Sequence, residues 1–296
     1  QALTMSNAKA ASFTFEEDGP DNVGGRTRAI IVDPNNDFTV YAGSVDGGMY
    51  KSLNGGNNWN RLIGWDTDAT TMAISSICMT SNGTLYVGTG GGGLLGEGSL
   101  DFEGSGMQNG EGVWYSTDGG MSFSQLAGTQ NKEISRVAAD KSKSDVFYYT
   151  GSNLGLKRVT NKGTPESVND ISNSAALVGV SVSPDGSVII CAGQNKVYVS
   201  RDSGNSFFNC KGNTAPVNNP IGNGGSRMEC AVAYDENENG FYNLYLAAES
   251  GGVIHSIWYS EDEGENWYQI APASTFGWEP CISANGQCYY DMVIDA

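Results

Sequence analysis

An eight-residue segment returns four times in this chain: SLNGGNNW from Ser52, STDGGMSF from Ser116, SRDSGNSF from Ser200 and SEDEGENW from Ser260. Its residue types describe a turn. A serine and, two residues on, an aspartate offer short oxygens to backbone N–H groups. A glycine supplies conformations closed to other residues, and the closing aromatic re-enters a strand as core. The first copy has Asn54 in place of the aspartate, and an amide oxygen accepts the same hydrogen bond.

Around these boxes the chain repeats a larger layout, present in five copies. RAIIVDPNNDFTVYAG with GMYKSLNGGNNWNRLI, and SSICMTSNGTLYVGT with GVWYSTDGGMSFSQLA, each give strand, turn, strand, loop, strand, box, strand. In the third copy, SRVAADKSKSDVFYYTG with GLKRVTNKGTPES, the box has decayed. VGVSVSPDGSVIICAG with KVYVSRDSGNSFFNC and ECAVAYDENENGFYNLYLAA with SIWYSEDEGENWYQIA complete the set. The turns DPNN, SNGT, PDGS and DENENG suit two-strand hairpins. Four short strands in roughly 45 residues match a propeller blade. The 41 glycines and only 8 prolines agree with many tight turns. The expected fold is all-β, a propeller of four-stranded antiparallel blades.

The pattern S-x-D-x-G-x-x-[WF] resembles the Asp box of the BNR-repeat propellers, a group that includes sialidases, sortilin-type receptors, certain endoglucanases and a photosystem-assembly factor. The resemblance implies a structural role for Ser52, Asn54, Ser116, Asp118, Ser200, Asp202, Ser260 and Asp262, on the face away from the binding site. The opening GPDNVGGRTRAIIVDPNN is also similar to large secreted or cell-surface propellers of bacteria with type IX export. Residues 20–296 are expected to form the propeller, and residues 1–19 an N-terminal segment whose SFTFE can close a ring. After the fifth copy, GQCYYDMVIDA resembles the first strand of another blade. The expectation is an incomplete ring of a larger propeller, continuing past Ala296; the competing view is a five-bladed ring with a stray C-terminal strand.

A formal charge of −17 argues against a nucleic-acid backbone as partner, which needs clustered Lys and Arg. No run of about 18 apolar residues exists to span a bilayer as a helix. Cys281 and Cys288 bracket a short turn-containing loop and are expected to pair in an oxidising compartment. Cys210 and Cys230 form a second candidate pair, and Cys78 and Cys191 read as buried thiols. The expected location is exported: periplasmic, cell-surface or extracellular.

With alternating strands, loops from second to third strand and from fourth strand to the next blade share one face, opposite the boxes. The candidate partner-binding face then holds Asp46, Trp65, Asp66, Asp68, Glu97, Asp101, Glu249 and Trp278, where such loops usually bind ligands. Trp65 and Trp278 are candidates for stacking on sugars, and packing between blades is the favoured reading for both. Asp46, in YAGSVDGGMY, is similar to the position of a catalytic Asp in xyloglucan-type endoglucanase propellers. It is the only catalytic candidate, because glycoside cleavage needs a second carboxyl and none has a motif match.

Arg28, Arg136 and Arg227 open the first strands of copies one, three and five. Their placement resembles a sialidase arginine triad, although GGRTRAI replaces that family's FRIP-like segment; the competing reading is arginines paired with the abundant carboxylates at the strand entrances. The glycine run at Gly90 lacks the ending of a phosphate loop. Asp235, Asn237 and Asn239 begin like a calcium loop, but Leu246 stands where a bidentate Glu is needed, so a hairpin turn is expected and no cofactor is assigned. His255 reads as a partly buried strand residue. The sum favours a noncatalytic propeller that binds a protein or glycan, or serves an outer-membrane assembly. The alternative is an endoglucanase-like or sialidase-like glycoside hydrolase.

Overall fold

Each repeat folds into one four-stranded antiparallel sheet whose strands pair in chain order. The computed structural model describes residues 27–71, 73–90, 110–212, 214–222, 225, 227–251, 253–272 and 294. Blade 1 comprises β1 (Thr27–Asp33), β2 (Asn36–Ser44), β3 (Met49–Ser52) and β4 (Asn60–Arg61), followed by the short helix α1 (Ile63–Asp68). Blade 2 comprises β5 (Ile74–Met79), β6 (Leu85–Thr89), β7 (Val113–Ser116) and β8 (Ser124–Gln125). Blade 3 comprises β9 (Ile134–Ala139), β10 (Val146–Gly151), β11 (Gly155–Thr160) and β12 (Glu166–Ser167). Blade 4 comprises β13 (Leu177–Val182), β14 (Ile189–Gly193), β15 (Lys196–Ser200) and β16 (Phe208–Asn209). Blade 5 comprises β17 (Arg227–Glu236), β18 (Tyr242–Ser250), β19 (Val253–Ser260) and β20 (Tyr268–Pro272).

The first strands β1, β5, β9, β13 and β17 pack against one another in that order around an axis. Among the described residues the arc does not close, and the ring is open between blades 5 and 1.

All four octapeptides fold alike. The serine hydroxyl is buried and donates to the third residue, at 2.9 Å to Asn54 Oδ1, 2.7 Å to Asp118 Oδ1 and 2.8 Å to Asp202 and Asp262 Oδ1. The same oxygen accepts the N–H of the fifth-residue glycine at 2.8–2.9 Å. The carboxylate then caps the turn, and Asp118 accepts the N–H groups of Met121 and Ser122 at 3.0 Å. The Ser122 hydroxyl and N–H, with help from Ser116 and Met121, hold Asp118 well below the usual carboxylate range. Burial alone raises the pKa of Asp202 and Asp262, and the turn hydrogen bonds reverse it, leaving both lowered. The fourth residue has positive φ in every copy, including Ser203 at 57° and Glu263 at 53°, and the fifth is always glycine, at 82° to 100°.

The apolar side chains collect between blades rather than in one central core. One cluster joins blades 1 and 2 through Tyr41, Met49, Ile77 and Trp114. Others join blades 2 and 3, blades 3 and 4, and blades 4 and 5. In blades 2, 4 and 5 the octapeptide aromatic enters the junction with the preceding blade: Phe123, Phe207 and Trp267 are buried there.

Hydrogen bonds fix the same junctions. The preceding blade's exit segment receives the aromatic's N–H: Phe123 donates to Asp68 Oδ2 at 2.8 Å, Phe207 to Asp170 Oδ2 at 3.1 Å and Trp267 to the Asn219 carbonyl at 2.9 Å. The preceding blade also donates to the turn's exposed carbonyls. Lys51 Nζ and the Tyr41 hydroxyl meet Gly119 O at 2.9 and 3.3 Å, and the Tyr148 hydroxyl meets Ser203 O at 3.4 Å. Arg201 meets Asp262 O at 2.8 Å and Glu263 O at 3.0 Å. Blade 3 has no octapeptide, and there Tyr86 donates at 2.7 Å to Asp145, which also pairs with Lys162.

A comparison of two glycines tests the packing of these turns. A Cβ added to Gly83, with φ +83°, would meet nothing within 4 Å, whereas a Cβ on Gly204, at φ +82°, would stand 2.5 Å from the Tyr148 hydroxyl oxygen. Gly83→Ala is expected to cost about 1 kcal/mol of unfolding free energy from backbone conformation alone. Gly204→Ala should cost about 3 kcal/mol, because the buried Tyr148 must also move. Equal losses in denaturant titrations would refute this account of the junction.

Candidate functional site

Four of the five first strands carry one extra residue against their second strand, at the same level. The extra residues are Arg28, Ser75, Ser135 and Val178. A bulge bends its strand and re-aims side chains, and such bulges cluster near binding sites. The hydroxyls of Ser75 and Ser135 are buried without a hydrogen-bond partner among the described residues, so a polar guest or water can satisfy them.

Beside these bulges lies a charge cluster centred on the buried Glu229. Arg136 Nη2, on β9, meets Glu229 Oε2, on β17, at 2.9 Å, and Arg227 Nη2 meets Glu229 Oε1 at 2.8 Å. β13 stands between β9 and β17 in the ring, and Gly179 leaves room for the contact: a Cβ there would sit 3.2 Å from Glu229 Oε2. Burial by itself raises the Glu229 pKa, but the positive charges of Arg136 and Arg227, and then their hydrogen bonds, bring it below its ordinary value. Glu229 is therefore ionised and held at both oxygens, with no proton to give. Glu249, buried, is the ladder partner of Arg227.

Glu133 behaves differently. Burial raises its pKa, and the Gly110 N–H and the Arg28 charge offset only part of this. The Gly110 N–H donates to its Oε1, while a Cβ on Gly90 would overlap its Oε2. Glu133 thus fits between two positions where only glycine leaves room.

The expected face changes in several respects. Trp65 takes the packing role between blades rather than that of a sugar platform: it is fully buried, donates through Nε1 to Thr71 O at 3.0 Å and packs edge-on against Trp114 and Phe123. Asp68 accepts the Phe123 N–H, and Asp66 pairs with Arg61 at 2.6 Å. The cause is shared. The exit segments of blades 1, 3 and 4 lie against the next octapeptide instead of forming an open loop face. Asp46 remains exposed, on the β2–β3 loop, where Ser44 Oγ accepts the Gly47 N–H at 3.0 Å.

Arg136 and Arg227 converge on a carboxylate of their own chain, unlike a substrate-binding triad. Cys210 and Cys230 are not paired: both are buried free thiols, as are Cys78 and Cys191. His255 is exposed rather than partly buried, with Nδ1 3.1 Å from Ser256 Oγ. Asn237 accepts the Asn239 and Phe241 N–H groups, which ties its side-chain oxygen to the hairpin turn. Among the described residues, no group of three or more His, Cys, Asp or Glu is arranged to hold a metal. Glu97, Asp101, Trp278, Cys281 and Cys288 lie outside the described residues. Glu229 escaped sequence reasoning because it sits in RMECAVAY, a strand pattern that reads as core.

No protein-family model and no curated protein matches the chain. Its fold is that of solved β-propellers. It is similar to the GH74 xyloglucanase from Xanthomonas campestris (17% identity, TM-score 0.58, covering 84% of this chain and 38% of the enzyme). It is similar to an auxiliary nutrient binding protein from Bacteroides thetaiotaomicron (13% identity, TM-score 0.52, 83% and 57% covered). It is also similar to YCF48 bound to D1 peptide (14% identity, TM-score 0.51, 89% and 72% covered). The chain thus spans well under half the length of the xyloglucanase.

Glu229→Gln leaves two arginine charges facing a neutral amide and should destabilise the protein by about 3 kcal/mol at neutral pH. The folded-state pKa of Glu229 lies below its unfolded value, so its stabilisation is complete above about pH 4.3 and is lost as pH falls further. The gap between wild type and variant in thermal melts should therefore narrow below about pH 4. A gap independent of pH would contradict the ionised assignment.

Proposed function

We propose that this chain is part of a noncatalytic, exported Asp-box propeller that binds a protein or glycan with its loop face, at the cell surface or in an outer-membrane-associated assembly. The observation that carries this reading is the state of Glu229: a carboxylate locked in its ionised form between two arginines holds blades 3 and 5 together and is unsuited to proton transfer. The buried serine hydroxyls beside it suit polar recognition. The likeness to a nutrient binding protein and to a peptide-bound propeller supports a binding role. Among the described residues, no helix is long and apolar enough to cross a membrane.

A second reading, glycoside hydrolysis, is favoured by the exposed position of Asp46 and by the likeness to a xyloglucanase. Its acid would have to be a mouth carboxyl with a raised pKa, and Glu133 has that property.

Incubation with xyloglucan separates the two. The expected outcome is no release of reducing ends by wild type or by Asp46→Ala. Hydrolysis that disappears in Asp46→Ala would establish the enzyme reading instead.

A further inference from the structure

Three of the four junctions between described blades follow one rule, and blade 1 shows its unmatched half. In blades 2, 4 and 5 the octapeptide aromatic donates its N–H to the preceding blade's exit segment, and the turn carbonyls accept donors from that blade. Blade 1 builds the same turn, with Gly55 and Gly56 at φ 71° and 100°. Yet among the described residues no acceptor meets the Trp59 N–H and no donor meets the Gly55 carbonyl. Trp59 is only half-buried, whereas Trp267 is fully buried.

The same flank exposes apolar side chains that its counterpart buries. Ile30 and Val32 stand opposite Ala42 and Val40, the register in which blade 2 holds Ile77 and Met79 opposite Val87 and Leu85. Ile77 and Met79 are 8% and 4% exposed against blade 1, while Ile30 and Val32 are 66% and 49% exposed. Phe38, beside the Gly55 turn, is 67% exposed. At the other end of the arc, Tyr245 pairs with Tyr259 one step before Ser260. That is the position from which Tyr41 and Tyr86 donate to the following blade.

We propose that this flank of blade 1 is an intrachain docking surface for residues 273–296, the segment that leaves blade 5. Chain direction selects the occupant. At each latched junction the acceptor for the aromatic N–H comes from the segment after the preceding blade's fourth strand, and residues 273–296 follow β20. The segment carries Asp291 and Asp295, the side-chain type that supplies the acceptor at two of the three junctions, and the apolar run CYYDMVI to meet Ile30, Val32 and Phe38. Extended chain covers about 3.3 Å per residue, so this segment reaches up to about 80 Å from the end of β20.

The test uses the whole 296-residue chain with a photo-crosslinking phenylalanine analogue in place of Phe38, and the same analogue at the equally exposed Met121 as reference. Peptide mapping should place adducts from position 38 on residues 273–296, at a yield several-fold above that from position 121. Adducts on residues 1–26, a concentration-dependent dimer, or a yield no higher than at position 121 would each overturn the proposal. In the unmodified chain, amide exchange at Trp59 should be slowed at least about tenfold relative to an open amide. Free exchange there would overturn it as well.

Discussion

The structure depends on the contact between one blade's octapeptide and the blade before it. A single four-stranded sheet of this size cannot bury both of its faces, so stability comes from stacking sheets around an axis. The octapeptide serves both jobs at once. Its serine and carboxylate close a tight turn, and its aromatic enters the neighbouring junction, where Phe123, Phe207 and Trp267 are buried. Because fourth- and fifth-residue φ values are positive, the turn's carbonyls point outward and can accept Lys51, Tyr148 or Arg201 from the preceding blade.

This constraint shapes the candidate site. Exit segments held against the next octapeptide are not available as binding loops, which removes Trp65 and Asp68 from the ligand-facing set. Polar chemistry concentrates instead near the axis, where bulges place Arg28, Ser75 and Ser135 at one level and Glu229 joins Arg136 to Arg227 across β13. An ion cluster around a buried carboxylate adds little net stability over apolar packing, but losing one member leaves uncompensated charge. Its role fits specification of how blades 3, 4 and 5 meet.

Much of the fold was legible because the octapeptide and hairpin turns are local devices. Ser116, Asp118 and Gly120 make their hydrogen bonds within a few residues of one another, so the spacing in the sequence already contains the geometry. The candidate site was less legible. Trp65 has no local signature that separates an exposed platform from a core ring; only Trp114 and Phe123, both on blade 2, decide it. Cys210 and Cys230 invite pairing in sequence, yet each is packed as a buried thiol.

By itself the sequence determined the blades, their order and the turns that repeat in them, since periodic alternation and short-range hydrogen bonding need no distant partner. Tertiary structure alone decided which residues face the axis, which are sealed between blades and which charges meet. Arg136 and Glu229 lie 93 residues apart and touch because β9, β13 and β17 stand side by side, with the small Gly179 on the strand between them. Contacts of that range depend on the curvature of the whole arc, which no single repeat encodes.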